Sequence, residues 1–292
     1  MDYVVFSNPC AWLVPGGAAM ALEPLHVPGL LKRFGIRPQK SLGQNFLADH
    51  NALLKVVQDA GVSPTERVLE IGAGVGNLTR LLATRARCVT TIEIDSRLYP
   101  ALEAVLAPFD NVRLVKGDVL AIPVTDLFSE DGFLVVANIP YYITSAVIRH
   151  LLEGAVSPRR IVLTMQREVA ERILNREEKT SLLSLSVQVY GEARIASHIP
   201  AGCFYPPPQV DSSVLLIDLY SQPLLSAREM TTLFRLAHAA FNQKRKMLRN
   251  SLKSVLGDTL SSILECAGID PRIRPEDLKL EDWIRLVEEV GS

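Results

Sequence analysis

From residue 52 onward, short apolar runs alternate with stretches in which apolar positions recur every three or four residues. Val68-Leu69-Glu70-Ile71 reads as a buried strand followed by a helix from Asn77, and Cys88 to Ile94 as a second strand followed by a helix from Ser96. Val112 to Val115, Phe133 to Ala137 and Ile161 to Met165 read as further strands. A helix capped by its serine is predicted over Ser145 to Leu152, and another after Met165. Strands apolar on both faces and alternating with helices predict an α/β fold whose mainly parallel sheet is covered on both sides.

The pattern changes after "YPPPQVDSSVLLIDLY" (205 to 220), a Pro-rich turn entering a late strand. From Ser226 to Ser292 the spacing is helical, punctuated by Gly257, Gly268 and Pro271. The expected organisation is therefore a catalytic domain over residues 37–220 and a smaller all-helical domain over 221–292. Residues 1–36 are expected to be an extension outside the catalytic core, with Met20 a candidate start. The apolar opening does not match a secretory signal, because Asn8-Pro9 interrupts it and no Lys or Arg precedes Lys32.

Composition narrows the class. Hydrophobic residues make up 48% and charged residues 22% of 292, as in an ordinary globular chain. The net charge of -1 excludes nucleic-acid binding through overall positive charge, so any such role needs a local patch. Four scattered cysteines without ligand spacing point to a reducing, cytoplasmic compartment. Neither they nor the five histidines suggest a metal, and no apolar stretch reaches membrane-spanning length.

The chemistry is concentrated in two stretches. "LEIGAGVGN" (69 to 77) joins a strand to a helix, and Gly72 and Gly74 allow close backbone approach to a ligand. Glu93 ends the next strand, about twenty residues on, where a carboxylate can accept from both hydroxyls of an adenosine ribose. The glycine spacing is G-x-G-x-G rather than the dinucleotide G-x-G-x-x-G, and the acid Glu70 beside it disfavours phosphate. That combination suits S-adenosylmethionine, with its cationic amine and sulfonium, and places Asp118 of "KGDV" near the adenine. A nicotinamide oxidoreductase fits neither feature.

The second stretch is "NIPYY" (138 to 142). The Asn138 side-chain oxygen and the Ile139 carbonyl can each accept one N–H of an adenine amine and free its lone pair for attack on a methyl group. Pro140 keeps the carbonyl aimed, and Tyr141 offers a face for stacking. No general base is needed, so catalysis reduces to alignment and electrostatic preorganisation.

"FNQKRKMLRNSLK" (241 to 253) carries five basic residues and no acid. Read as one helix, it sets Lys246, Arg249 and Lys253 on a flank beside an apolar face of Phe241, Leu248 and Leu252, with Lys244 close by and Arg245 within the apolar face. That is the pattern of a phosphate-gripping helix for RNA. Lys32, Arg33, Arg37 and Lys40 form a second basic cluster.

"SLGQNFLADHN" (41 to 51), "EIGAGVGNLT" (70 to 79), "IEID" (92 to 95), "KGDV" (116 to 119), "NIPYYITS" (138 to 145), "FYPPPQVDS" (204 to 212) and "AFNQKRKMLRNSL" (240 to 252) occur in that order. Together they resemble the ribosomal RNA adenine dimethyltransferases, most closely the bacterial small-subunit type, from about residue 37 to the C-terminus. The resemblance implies a Rossmann-like class I S-adenosylmethionine-dependent fold. It also implies dimethylation of two adjacent adenosines near the 3′ end of small-subunit RNA within a pre-30S particle, late in assembly and by a monomer. By motif position, Asn45 and Leu47 would border the methionine end of the cofactor, and Phe204 would form a second aromatic wall of the base pocket. Two alternatives stay open: an assembly factor whose catalysis is incidental, and a large-subunit methylase of the macrolide-resistance type.

Overall fold

The computed structural model describes residues 22–140, 143–174, 179–243 and 246–291. Two units are formed, one from residues up to Ala170 with Arg194–Asp218, the other from Glu171–Ala193 with the chain from Leu219 onward. The strands are β1 (Phe46–Leu47), β2 (Arg67–Ile71), β3 (Cys88–Glu93), β4 (Val112–Lys116), β5 (Leu134–Asn138), β6 (Arg160–Gln166), β7 (Gly191–Ile199), β8 (Phe204–Tyr205) and β9 (Ser212–Leu219). In the first unit the helices are α1 (Val27–Arg33), α2 (His50–Ala60), α3 (Asn77–Ala83), α4 (Tyr99–Leu106) and α5 (Thr144–Leu152), and α6 (Arg167–Ile173) follows β6. The second unit holds α7 (Leu182–Tyr190), α8 (Ala227–Phe241), α9 (Leu248–Ser251), α10 (Lys253–Leu256), α11 (Leu260–Cys266) and α12 (Leu280–Gly291).

Seven strands form one sheet in the order β4-β3-β2-β5-β6-β9-β7. The pairs β4–β3, β3–β2, β2–β5 and β5–β6 are parallel, and β9 runs antiparallel to β6 from Arg160↔Asp218 to Gln166↔Ser212. All of β3 and all but the last residue of β5 are buried, which explains why neither strand alternates between apolar and charged positions and why β5 is apolar up to Asn138. Val68, Leu134, Val136, Val162, Val214 and Leu216 build a core with Leu53, Val56 and Val57 of α2 and Leu78, Leu81 and Leu82 of α3. Helix α2 is fixed at both ends: Asp49 accepts from the Ala52 N–H at 2.7 Å, and Gly61 closes it in the left-handed region at φ 67°.

The order of the strands sets the place of a site. From β2 the chain steps outward to β3 and β4, then returns to β5 on the other side of β2. Between the carboxyl ends of β2 and β5 the connections diverge, leaving the crevice where open α/β sheets bind ligands.

Four expectations are corrected. Residues 22–36 do not lie outside the core, because Val27, Leu31 and Ile36 are buried against Phe46, Val75, Leu98 and Ala101. The reason is an amphipathic turn, Val27 and Leu31 being four residues apart on one face. Helix α5 starts at Thr144 with Ile143 before it and no side-chain cap, so Ser145 caps nothing. A single boundary at 220 does not describe the chain, since residues 171–193 belong with the helical unit. There Leu185 and Val189 of α7 join the core of Leu233, Leu236, Leu264, Trp283 and Leu286.

The fourth correction concerns 241–253, which is not one helix. Helix α8 ends at Phe241, and a new helix starts only at Leu248. The N–H groups of Leu248 and Arg249 donate to the carbonyls of Ile273 (2.8 Å) and Pro271 (3.2 Å). These contacts from a distant loop replace the bonds a continuous helix would have made.

Candidate active site

The switch-point crevice is a cleft of about 220 Å³. Its walls come from the carboxyl ends of the strands, with Ile71 and Gly72 after β2, Glu93 and Ile94 after β3, Gly117 and Asp118 after β4, and Asn138 to Pro140 after β5. The segment Leu42 to Phe46 completes the enclosure. Gly74 has φ 61°, a left-handed conformation that favours glycine, and a Cβ there would crowd the Phe46 ring at 3.0 Å, so the bare backbone lets that ring pack closely against the loop.

Glu93 is 5% exposed. One carboxylate oxygen accepts from the Gly74 N–H at 2.7 Å and the other from the Asp95 N–H at 2.9 Å. Burial pushes the carboxyl above its usual range, and those two amides oppose the shift. Each oxygen keeps a lone pair after its backbone bond, so the group can take two further donors side by side. Asp118 is exposed and caps the turn after β4, one oxygen accepting from the Leu120 N–H at 2.9 Å.

Asn138 is half-buried at the end of β5 and donates its side-chain N–H to the Asn45 carbonyl at 3.2 Å. That bond orients the amide, and among the described residues no donor is recorded for its oxygen. Gly72 lies opposite, where a Cβ would come within 3.5 Å of the Asn138 carbonyl. Ile139 and Pro140 line the same cleft, while Tyr141 lies outside the described residues.

Three expected site residues are not brought to the cleft. Glu70 is 1% exposed, behind the glycine loop, and accepts from the Thr91 hydroxyl at 2.7 Å. Burial raises its carboxyl to about 7. It cannot offer the ligand an exposed negative charge. Leu47 turns its side chain into the core, since neighbours on a strand face opposite ways and Phe46 takes the cleft side. Its carbonyl accepts from the Asn77 amide at 3.0 Å. Phe204 pairs with Leu47 in the β1–β8 ladder and is 4% exposed within the same core, leaving no open face for a base.

Lys246, Arg249 and Lys253 are exposed in the helical unit, the first before α9, the second within it and the third at the start of α10. Lys244 and Arg245 lie outside the described residues. Sequence reasoning missed Gln44, Phe46, Ile94 and Leu120, all of which line the cleft. Ile94 is 55% exposed, an unusual position for a large aliphatic residue directly after a buried strand, and the strand pattern alone gave no signal for it. Among the described residues no group of three His, Cys, Asp or Glu side chains could hold a metal ion, and no helix is long and apolar enough to cross a membrane.

The sheet order, the switch-point cleft and the buried carboxylate at the end of β3 are those of a Rossmann-like methyltransferase. Comparison with known proteins narrows the class: the family described as ribosomal RNA adenine dimethylase matches residues 36–291, and the chain belongs to that family. A ribosomal RNA small subunit methyltransferase A of Moorella thermoacetica is 43% identical over 280 residues, covering 90% of this chain and 97% of the relative. One from Dehalococcoides mccartyi strain CBDB1 is 38% identical, covering 90% and 92%. Among solved structures, a dimethyladenosine transferase from Plasmodium falciparum superposes with a TM-score of 0.72 at 26% identity, covering 84% of this chain and 97% of that one. The 23S rRNA methyltransferase ErmE gives 0.68 at 28%, covering 85% and 100%. Family and fold imply use of S-adenosylmethionine.

Proposed function

We propose that this enzyme transfers methyl groups from S-adenosylmethionine to the exocyclic amines of two adjacent adenosines near the 3′ end of small-subunit (16S) rRNA, giving N6,N6-dimethyladenosine. It acts as a cytoplasmic monomer on a pre-30S particle, and binding to that particle is part of its role in late small-subunit biogenesis. The cleft suits the cofactor on its own geometry: Glu93 has room for two ribose hydroxyls, one Asp118 oxygen has no partner among the described residues and can meet the adenine, and Ile94 and Leu120 supply apolar surface for the ring. When bound, S-adenosylmethionine supplies an electrophilic methyl group on a positively charged sulfur.

The oriented amide of Asn138 carries the reading. With its N–H held by Asn45, its oxygen is the atom left to accept one N–H of the adenine amine, and the Ile139 carbonyl accepts the other. The amine nitrogen then aims its lone pair at the methyl carbon. Held in this way, the amine would take the methyl group that S-adenosylmethionine supplies, with S-adenosylhomocysteine as the leaving group and the amine proton lost to water. Pro140 fixes the local backbone. Lys244, Lys246, Arg249 and Lys253 are assigned to phosphate contacts, which need exposed cations rather than a continuous helix.

Incubation of unmethylated small subunits with labelled S-adenosylmethionine, followed by mapping of modified nucleosides, tests the proposal. Label in two neighbouring dimethyladenosines of the small-subunit RNA is expected. Label confined to a large-subunit adenosine would overturn the assigned target, and particle binding without label would favour an assembly factor.

A further inference from the structure

The segment 39–45, whose residues Leu42 to Asn45 wall the cleft, is held to the sheet by a side-chain network that the transfer chemistry does not use. Gln44 accepts from the Gln39 N–H at 2.8 Å and donates from its amide nitrogen to Asp95 at 2.6 Å, across 51 residues. Asp95 is 6% exposed, and the Arg97 guanidinium donates to both its oxygens. The same guanidinium reaches the Arg37 carbonyl at 3.3 Å. Asp95 and Arg97 thus grip this segment near both ends, at Gln44 and at Arg37.

Between the two grips the segment is tied mainly to itself. A short turn over Lys40–Leu42 closes through Leu42 N–H to the Gln39 carbonyl and Gly43 N–H to the Lys40 carbonyl. It is a compact strap carrying Leu42, Gly43, Gln44 and Asn45 to the cleft. Asp95 does a second thing: its backbone N–H donates to Glu93. One residue therefore both anchors the strap and holds the carboxylate assigned to the ribose.

We propose that Gln44 and Asp95 form a latch that closes the strap over the cofactor and sets Glu93, making them positioning residues for the transfer. The proposal rests on the reading of this cleft as the S-adenosylmethionine site. Asp95 is ionised in this role: burial pushes its carboxyl up, but the bonds from Arg97 and Gln44 outweigh that and hold it below its usual range.

The test exploits donor and acceptor roles in the full chain. Gln44→Glu sets two carboxylates against each other, whereas Gln44→Glu with Asp95→Asn restores one hydrogen bond with its direction reversed, at the cost of the Arg97 bond to the same Asp95 oxygen but not of the Arg97 bond to the other. In ligand-free protein, amide exchange over residues 39–45 should speed up about tenfold in the single variant and return to within about threefold of wild type in the double. Titrated S-adenosylmethionine should show Kd raised about 10- to 50-fold in the single variant and recovered in the double, with cofactor KM rising by more than kcat falls. The double variant also controls for folding. Exchange unaffected by Gln44→Glu, or a double variant no better than the single, would overturn the latch. If the exchange pattern held but wild-type protein bound no S-adenosylmethionine, the latch would stand and the reading of the cleft would fall.

Discussion

The side-chain amide of Asn138 donates to the main-chain carbonyl of Asn45 at 3.2 Å, joining the end of a central strand to a segment 93 residues earlier in the chain. The bond decides which end of the amide faces the substrate. Asn138→Ala should lower kcat by roughly 10²- to 10³-fold while leaving S-adenosylmethionine binding measurable by calorimetry. Asn138→Asp should not rescue it, because a carboxylate cannot donate to Asn45. Turnover that survives either change would remove Asn138 from the reaction centre.

Glu93 accepts from two backbone amides at once. In Glu93→Gln one of those N–H groups would face the NH₂ of the new side chain instead of an oxygen. Cofactor affinity should fall roughly 10- to 100-fold, with a small loss of stability, because a buried donor is left unsatisfied. Calorimetric titration beside a melting curve separates the two effects.

Stability should depend on pH through Glu70, whose carboxyl burial raises from an ordinary 4.5 to about 7. Over that window the folded chain keeps a proton that the unfolded chain releases. Its contribution is therefore complete below pH 4.5 and is lost as pH rises through 7. Glu70→Gln removes this slope, so wild type should lose up to about 3 kcal/mol relative to the variant between pH 4.5 and 7.5. Urea unfolding of both proteins at pH 5 and pH 8 reads the difference, and parallel curves would contradict it.

Phe204 behaves as a core residue in this structure. Phe204→Ala should cost about 3 to 5 kcal/mol of stability, while Phe204→Leu should cost far less and keep most of the activity. A stable Phe204→Leu protein with activity lost would return the ring to the base pocket.

Exposed cations should act through phosphates. Replacing Lys246, Arg249 and Lys253 with Gln should weaken RNA binding and reduce the slope of log K against log salt by roughly 2 to 3. An unchanged slope would mark them as solvated surface.

What the sequence disclosed follows from how local each signal is. Strands β2, β3, β5 and β6 were legible because both their faces are buried, and β4 because Val112 to Val115 is short and follows the same rhythm; the glycine loop was legible because it joins a strand to a helix at a short, fixed spacing. Strand β7 was not, since "GEARIASHI" mixes charged and apolar residues without a run. The direction of Leu47 was available from strand alternation. The demotion of Glu70 was not, because its enclosure by neighbouring strands is a tertiary fact. Gln44 and Asp95 are common polar residues 51 positions apart, and nothing in either neighbourhood announces the other. Over 241–253 helical periodicity misled, as the loop at 271–273 captured the N–H groups at the restart.

Helix α7 lies in the helical unit, yet β7 and β9, which follow it, complete the sheet. During synthesis Leu185 and Val189 emerge long before α8, α11 and α12, so their apolar surface waits uncovered while the sheet acquires its last strands. A gene cut at residue 220 would strand that surface permanently and yield a sticky fragment rather than a minimal enzyme.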